Sequence, residues 1–289
     1  MEKIRFGAVL VAGPTPIEIK ENTNIPNSYD KNLILLNGKP MFIYAAEALN
    51  KARSISKLCV VGSKELLPYI SKYLDGVIFI KSQKTFVNNL IRGCKRLNEE
   101  KPPLDKIVIS TSDIPLIRPE HIDDLVDSCY KVRDFRDSSV VLPIYKKNSG
   151  NKEIESMKPH YLIKITGERF RHANLCIADQ SFIKELITSH YLYNMTEDLF
   201  SKKKMGLLPY IKFGRGKILK YIFKNKKLTI QELEDTVSIN LSNYLTQKNP
   251  ANKLCIILHT VITHYPQFVV DVDYDTDFGK VNKYFQNYQ

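Results

Sequence analysis

The stretch that decides the fold reads Lys106-Ile-Val-Ile-Ser-Thr-Ser-Asp113-Ile-Pro-Leu-Ile117. Its apolar run, residues 107–109, has the length and β-branching of a buried parallel strand. Asp113 therefore falls just past the carboxyl end of a strand, where open α/β sheets place their ligands. Two interpretations of Asp113 follow. It is a turn or N-cap residue before the next helix, or a carboxylate that meets a hydrated Mg²⁺ bridging substrate phosphates.

Strand and helix signals alternate on either side of this stretch. Strands are predicted at residues 4–12, 57–61 and 76–80, and helices at residues 40–52, 64–73, 86–97 and 119–132. Repeated units of this length predict an α/β fold in which a mostly parallel sheet lies between two layers of helices.

The second half of the chain has a different pattern. Short strands are predicted at residues 139–143, 161–165, 173–177, 253–258 and 268–272, and a last helix at residues 276–285. Between them, residues 183–250 are mainly helical in pattern and basic. We therefore predict a core made of residues 1–182 and 251–289, interrupted by a basic helical insertion at 183–250.

The net charge of +12 predicts anionic partners. Residues 201–230 contain ten Lys or Arg and no Asp or Glu. A membrane surface is one partner that this segment would suit, because its apolar residues fall on one helical face beside lysines. An ordinary amphipathic helix packed on the core is the favoured alternative. Nucleic acid is disfavoured as a partner, since charge is the only feature that points to it.

A cytoplasmic location is expected. The five cysteines are odd in number and widely spaced, which argues against a disulfide framework and a zinc site. No apolar run approaches the length that crosses a bilayer, and the first residues lead directly into a strand rather than a cleaved signal.

The order of segments resembles the MobA-like NTP transferases, which are nucleotidyltransferases with a GT-A-type fold. The likeness is carried by Ala8-Val-Leu-Val-Ala-Gly13, Tyr29-Asp-Lys31-Asn-Leu-Ile-Leu-Leu-Asn-Gly-Lys-Pro40, Ser112-Asp113-Ile-Pro115-Leu and Val270-Asp271-Val-Asp273-Tyr-Asp-Thr-Asp277-Phe. The resemblance implies a Rossmann-like, three-layer sandwich with a mixed, mostly parallel sheet. It also implies transfer of a nucleoside monophosphate from an NTP to a phosphorylated small-molecule acceptor, with release of pyrophosphate.

The resemblance also implies roles for particular residues. Asp113 and Asp273 match the family positions that hold Mg²⁺, with Asp271 as a competitor for the second position. Lys31 matches the lysine that meets phosphate oxygens and is, with Asp113, a candidate catalytic residue. The turn at Ala12 and Gly13 is expected to offer backbone N–H groups to the triphosphate.

Asn89 matches a further family position, near the nucleotide. Each of these residues also has an ordinary structural interpretation: Lys31 as a solvated surface residue, Asn89 as a helix cap or packing residue, and Asp273 as a turn residue.

The loop after Gly13 departs from the family pattern. Pro14 and Pro16 remove two backbone donors that a phosphate cradle would use, and the loop has no Arg, with Lys20 its nearest cation. A nucleotide-binding module with weakened catalysis is therefore the alternative to an active transferase. An NAD-linked oxidoreductase is disfavoured because no GxGxxG follows the first strand.

Overall fold

The structure is a computed structural model that describes residues 4–14, 30–132, 134–135, 139–158, 163–189, 192–194, 196, 229–248 and 255–288. Its strands are β1 Phe6–Ala12, β2 Leu35–Leu36, β3 Lys39–Pro40, β4 Ile55–Gly62, β5 Ile78–Lys81, β6 Lys106–Thr111, β7 Val140–Lys146, β8 Ile163–Ile165, β9 Glu168–His172, β10 Leu175–Asp179 and β11 Leu258–Thr263. Its helices are α1 Met41–Lys51, α2 Leu67–Tyr73, α3 Phe86–Leu97, α4 Pro119–Cys129, α5 Lys152–Met157, α6 Gln180–Thr188, α7 Ile230–Lys248 and α8 Asp275–Tyr288.

One mixed sheet organises the described part of the chain. Its strand order is β5-β4-β1-β6-β10-β7-β9-β8, and β11 pairs with β7. Strands β5, β4, β1 and β6 run parallel, and β11 runs parallel to β7. Strand β10 is antiparallel to both β6 and β7. The predicted mixed α/β sheet is therefore confirmed, and the carboxyl ends of β1 and β6 lie side by side.

Helices cover both faces of the sheet, as the alternation along β1 shows. Ala8 and Leu10 point into a cluster with apolar residues of α1 and α4, whereas Val9 and Val11 point into a cluster with α3 and α6. All seven residues of β1 are buried. This is the burial expected of a parallel strand that lies between two helical layers.

Two strand predictions in the C-terminal part are wrong. Residues 268–272 form no strand: Pro266–Val269 is a 3₁₀ turn, and the N–H of Val272 donates to the carbonyl of Asp113, 2.9 Å away. The final strand is Leu258–Thr263, so the strand predicted at residues 253–258 is not formed at residues 255–257. Residues 253 and 254 of that prediction lie outside the described residues. An apolar run identifies a buried segment, but it does not determine whether a neighbouring strand is in place to pair with it.

The predicted insertion is described only in part. Helix α6 crosses the predicted boundary at residue 183 and buries Ile183 and Leu186 against the sheet. Residues 201–228, which hold most of the basic segment, lie outside the described residues. The domain boundaries therefore stay predictions. Among the helices that the structure describes, none is both long and apolar enough to cross a membrane.

Helix α7 lies along the outer edge of β11. Its acceptors are spaced four residues apart: Ser242, Ser238 and Glu234 accept hydrogen bonds from the backbone N–H groups of residues 256, 258 and 260. Four residues of helix rise about 6 Å, and two residues of strand about 6.6 Å, so the two repeats match. The helix thus satisfies backbone N–H groups at the edge of the sheet that could otherwise pair with a strand of another molecule.

Removing the Glu234 carboxylate is expected to destabilise this edge. Glu234 Oε1 lies 2.6 Å from the backbone N of Thr260 and 2.7 Å from its Oγ1. We expect Glu234→Ala to lower the free energy of unfolding by about 2–3 kcal/mol, because a charged acceptor is lost and a donor is left without a partner. Urea denaturation measures the change. Asp235→Ala, which alters the exposed neighbouring position, is the matched control, and an equal loss in both variants would contradict the assigned role.

A buried histidine at the start of α4 predicts a pH dependence of stability. His121 Nδ1 accepts a hydrogen bond from the N–H of Arg118 at 3.2 Å, and its ring stacks on Tyr265 with 4.3 Å between centroids. Burial lowers the pKa of His121 from 6.5 to about 4. The unfolded chain therefore binds the proton more readily than the folded one between pH 6.5 and 4. The contribution to stability is fully present above pH 6.5 and is lost progressively as the pH falls from 6.5 to about 4.

We expect this histidine to account for about 3 kcal/mol of unfolding free energy lost across that interval. In His121→Gln the side-chain oxygen accepts the same N–H at every pH, as glutamine does in a capping box. Denaturant titrations of both proteins at pH 7 and pH 4.5 measure the difference. Identical pH profiles would show that His121 contributes nothing to acid sensitivity.

Candidate active site

Asp113 lies where the sequence predicted it, immediately beyond the carboxyl end of β6. The residue is buried, with 8% of its surface exposed. Its Oδ2 is 2.5 Å from the Nζ of Lys31, whereas its Oδ1 is buried and has no hydrogen-bond partner among the described residues. A buried carboxylate oxygen without a donor is costly, so this atom is available to a bound cation or donor.

Lys31 brings Asp113 together with Asp273. Its Nζ lies 2.5 Å from Asp113 Oδ2, 3.0 Å from Asp273 Oδ1 and 3.2 Å from the carbonyl oxygen of Val272. Lys31 is 5% exposed, so it is not a solvated surface residue. Burial alone would lower the pKa of Lys31, but the charges of Asp113 and Asp273 outweigh it and raise the pKa well above its ordinary value.

The position of Lys31 is fixed by its neighbour Asn32, which sequence analysis did not single out. Asn32 is 1% exposed, and its Nδ2 donates to the carbonyl of Gly13 at 2.9 Å. Its Oδ1 accepts from Ser112 Oγ at 2.5 Å. Asn32 therefore ties the glycine turn to the residue before Asp113. The tripeptide Asp30-Lys31-Asn32 was the available clue to this turn in the sequence. The Asp30 carboxylate accepts a hydrogen bond from the backbone N of Asn32 and so fixes the turn.

Ala12, Gly13 and Asn89 lie together beside this network. Ala12 is the buried last residue of β1. A side chain at position 13 would place its Cβ 3.2 Å from Asn89 Nδ2, so the glycine allows close approach of helix α3. Asn89 binds the main chain of Gln83, accepting from its N at 2.5 Å and donating to its O at 3.2 Å. The loop with Pro16 and Lys20 lies outside the described residues.

Asp271 occupies a different environment from Asp273. Its Oδ1 lies 3.1 Å from Arg171 Nη2 and 3.2 Å from Lys158 Nζ. Burial, together with the charges of Asp113 and Asp273, raises the pKa of Asp271 to about 6. Asp271 is thus close to the other two carboxylates but paired with other cations, while Asp273 shares Lys31 with Asp113.

Asp277 holds the segment that carries Asp273. Its Oδ2 accepts the N–H groups of Asp273 and Tyr274, each at 3.2 Å, as a residue in the first turn of a helix does in a capping box. The same oxygen lies 2.7 Å from Lys158 Nζ. Helix α8 therefore begins at a fixed place beside the edge of the sheet.

Comparison with known proteins identifies the family. The profile of the MobA-like NTP transferase domain matches residues 26–189, more than half of the chain. The chain belongs to this family. Lys31, Asn89 and Asp113 lie inside the matched range of the MobA-like domain, whereas Gly13 and Asp273 lie outside it.

Individual relatives agree with membership in the MobA-like family. A probable molybdenum cofactor guanylyltransferase from Thermococcus gammatolerans is 28% identical over 102 residues, which span 35% of this chain and 49% of that protein. A hypothetical transferase from Thermus thermophilus superposes with a TM-score of 0.66 at 19% identity, covering 95% of this chain and 99% of the other. A CMP:2-keto-3-deoxy-manno-octonic acid synthetase complexed with CTP superposes with a TM-score of 0.54 at 12% identity, covering 99% and 100%. The two structures support the fold.

Proposed function

We propose that this protein is a Mg²⁺-dependent nucleotidyltransferase that moves a nucleoside monophosphate from an NTP to a phosphorylated small-molecule acceptor and releases pyrophosphate. One observation carries the proposal. The Lys31 ammonium contacts two carboxylates that lie 82 and 242 positions away along the chain. Distant segments thus converge on one point at the edge of the sheet where α/β enzymes bind their ligands.

The donor set suits Mg²⁺ that arrives with phosphates. Asp113 and Asp273 each place an oxygen within 3.0 Å of the same ammonium, so both can face one cation. Within the described residues, no cluster of three or more His, Cys, Asp or Glu side chains forms a metal site. Mg²⁺ is commonly held by one or two carboxylates together with substrate phosphates, rather than by a protein cage. When bound, it would neutralise charge on the phosphates and orient them.

The side chains of this protein supply positioning and charge. In the proposed reaction an acceptor phosphate oxygen attacks the α-phosphorus of the NTP in line, the bond from the α-phosphorus to the α,β-bridging oxygen breaks, and pyrophosphate leaves with that oxygen. In this proposal Gly13 and Asn89, which lie next to each other, contact the nucleotide. Lys31 has three N–H groups, and Asp113, Asp273 and Val272 accept from the ammonium. A phosphate oxygen therefore replaces one of these acceptors when Lys31 binds the nucleotide.

A second candidate function is nucleotide binding without efficient transfer. Pro14 follows Gly13 directly and cannot donate a backbone hydrogen bond to a phosphate. This feature favours a binding module in which the site is retained and turnover is weak.

Pyrophosphate release separates the two functions. The protein is incubated with Mg²⁺, each of the four NTPs and a panel of sugar and alcohol phosphates. GTP and CTP are tried first, because one relative is named a guanylyltransferase and one structure of similar fold holds CTP. Transfer predicts pyrophosphate that depends on both Mg²⁺ and acceptor. Nucleotide binding that persists unchanged in Asp113→Asn, with no pyrophosphate from any combination, would reject the transferase and favour the binding module.

A further inference from the structure

Two cations lie beside the paired carboxylates and are not used by the reaction described above. Arg171 Nη2 and Lys158 Nζ both contact the same oxygen of Asp271, at 3.1 and 3.2 Å. Lys158 is held further by Asp277 at 2.7 Å. Their side chains are 16% and 12% exposed, which leaves each cation reachable from solvent but fixed in position. We propose that Arg171 and Lys158 form the subsite that binds the phosphate of the acceptor, an inference that rests on the proposed function.

The strand order places these cations on the acceptor side of Asp113. Strand β1, with Gly13 after it, is the neighbour of β6 on one side, and β10, β7 and β9 follow on the other. Arg171 lies on β9 opposite Tyr145, near the carboxyl end of β7. Strand β1 and the Gly13 turn, which would hold the nucleotide, therefore lie on one side of Asp113, and strand β9 with Arg171 lies on the other. An acceptor phosphate bound by Arg171 would lie across Asp113 from the nucleotide, as in-line attack requires.

The chemistry of the two side chains suits a phosphate. Arginine presents a planar fork of donors that matches phosphate oxygens, and lysine adds a point charge. Asp271 holds both cations in place before a ligand arrives, which reduces the entropy lost on binding.

Asn174 is a further donor at the same edge. Its carbonyl accepts the N–H of Thr111 at 3.1 Å, and its N donates to the carbonyl of Phe268 at 2.8 Å. The residue therefore lies between the strand that leads to Asp113 and the segment that leads to Asp271. Its side-chain Nδ2 is buried without a hydrogen-bond partner among the described residues. Buried donors in folded proteins normally have a hydrogen-bond acceptor. An oxygen of a bound phosphate would be an acceptor for Asn174 Nδ2.

The alternative is a purely structural role, in which the ion pairs only join α5, β9 and the start of α8. Loss of Arg171 would then lower stability but leave the response to phosphate unchanged. Phosphate binding is therefore the readout that distinguishes a subsite from a structural ion-pair network.

The test measures thermal stabilisation by inorganic phosphate and by glycerol 3-phosphate, without nucleotide or Mg²⁺ and at constant ionic strength set with NaCl. Arg171→Met and Lys158→Met are expected to weaken the apparent affinity about tenfold or more. Arg169→Met removes the same charge from an exposed position on β9 and should match the wild type. Arg171→Lys, which keeps the charge, serves if Arg171→Met fails to fold, and a severalfold weakening is expected.

Equal phosphate affinity in wild type, Arg171→Met and Lys158→Met would overturn the subsite. These outcomes are independent of turnover. If phosphate binding depends on Arg171 but no pyrophosphate is ever released, the subsite stands and the proposed reaction fails. If pyrophosphate is released while phosphate binding ignores Arg171, the reverse holds.

Discussion

Replacing Asp113 by asparagine is expected to lower the rate of acceptor-dependent pyrophosphate release by about a thousandfold. The amide keeps the size of the side chain and can still accept a hydrogen bond from Lys31, whose Nζ is 2.5 Å away. The substitution removes the negative charge that would bind a metal ion. It also changes the carboxylate to which Oδ1 belongs, an oxygen that has no hydrogen-bond partner among the described residues. Steady-state rates at saturating nucleotide and at the Mg²⁺ concentration that just saturates the wild type measure the loss.

The matched control is Asp127→Asn, which makes the same change on an exposed turn of α4. It should retain wild-type activity, and circular dichroism should show both variants folded. Raising the Mg²⁺ concentration should recover part of the lost activity if affinity for the metal is the defect. A folded Asp113→Asn variant with wild-type rates would show that the acceptor-dependent reaction does not use this carboxylate.

The sequence predicted the parts of the fold that local pattern controls. Residues 107–109 are buried in β6, and α3 spans Phe86–Leu97 as the spacing of its apolar residues predicted. A run of β-branched residues and a helical period arise from interactions within a few positions, so both are readable from the chain. The same applies to Asp113, whose place at the sheet edge follows from the strand before it.

Contacts between distant segments were harder to predict. The pairing of Lys31 with Asp273 spans 242 positions, and nothing local to either residue requires it. The family resemblance brought these residues together, but it did not indicate Asn32 or Arg171. Residues 268–272 were predicted as a strand because they are apolar, yet their backbone bonds go to Asp113 and Asn174 instead of a strand ladder. Polar side chains that position a site leave no periodic signal.

Replacing Lys31 by methionine is expected to have the largest effect on both stability and activity. The ammonium is the shared partner of Asp113 and Asp273, whose side chains are 11% and 27% exposed. Without it, two carboxylates remain close together with no cation between them. Removing one member of a buried ion pair costs about 3–5 kcal/mol, and we expect a loss of unfolding free energy in that range. Denaturant titration in EDTA measures it, with Lys51→Met on the exposed end of α1 as the control.

Mg²⁺ provides the decisive second measurement on Lys31→Met. The cation and the ammonium compete for the same two carboxylates, so the variant should bind Mg²⁺ more tightly than the wild type in the absence of nucleotide. Added Mg²⁺ should therefore stabilise Lys31→Met more than the wild type, while transfer stays slow because no ammonium meets the phosphates. The double variant Lys31→Met/Asp113→Asn should be less destabilised than the sum of the single changes, since one carboxylate no longer opposes the other. Additive losses and equal Mg²⁺ affinities would contradict a shared cation position, and with it the convergence of Asp113 and Asp273 on one metal.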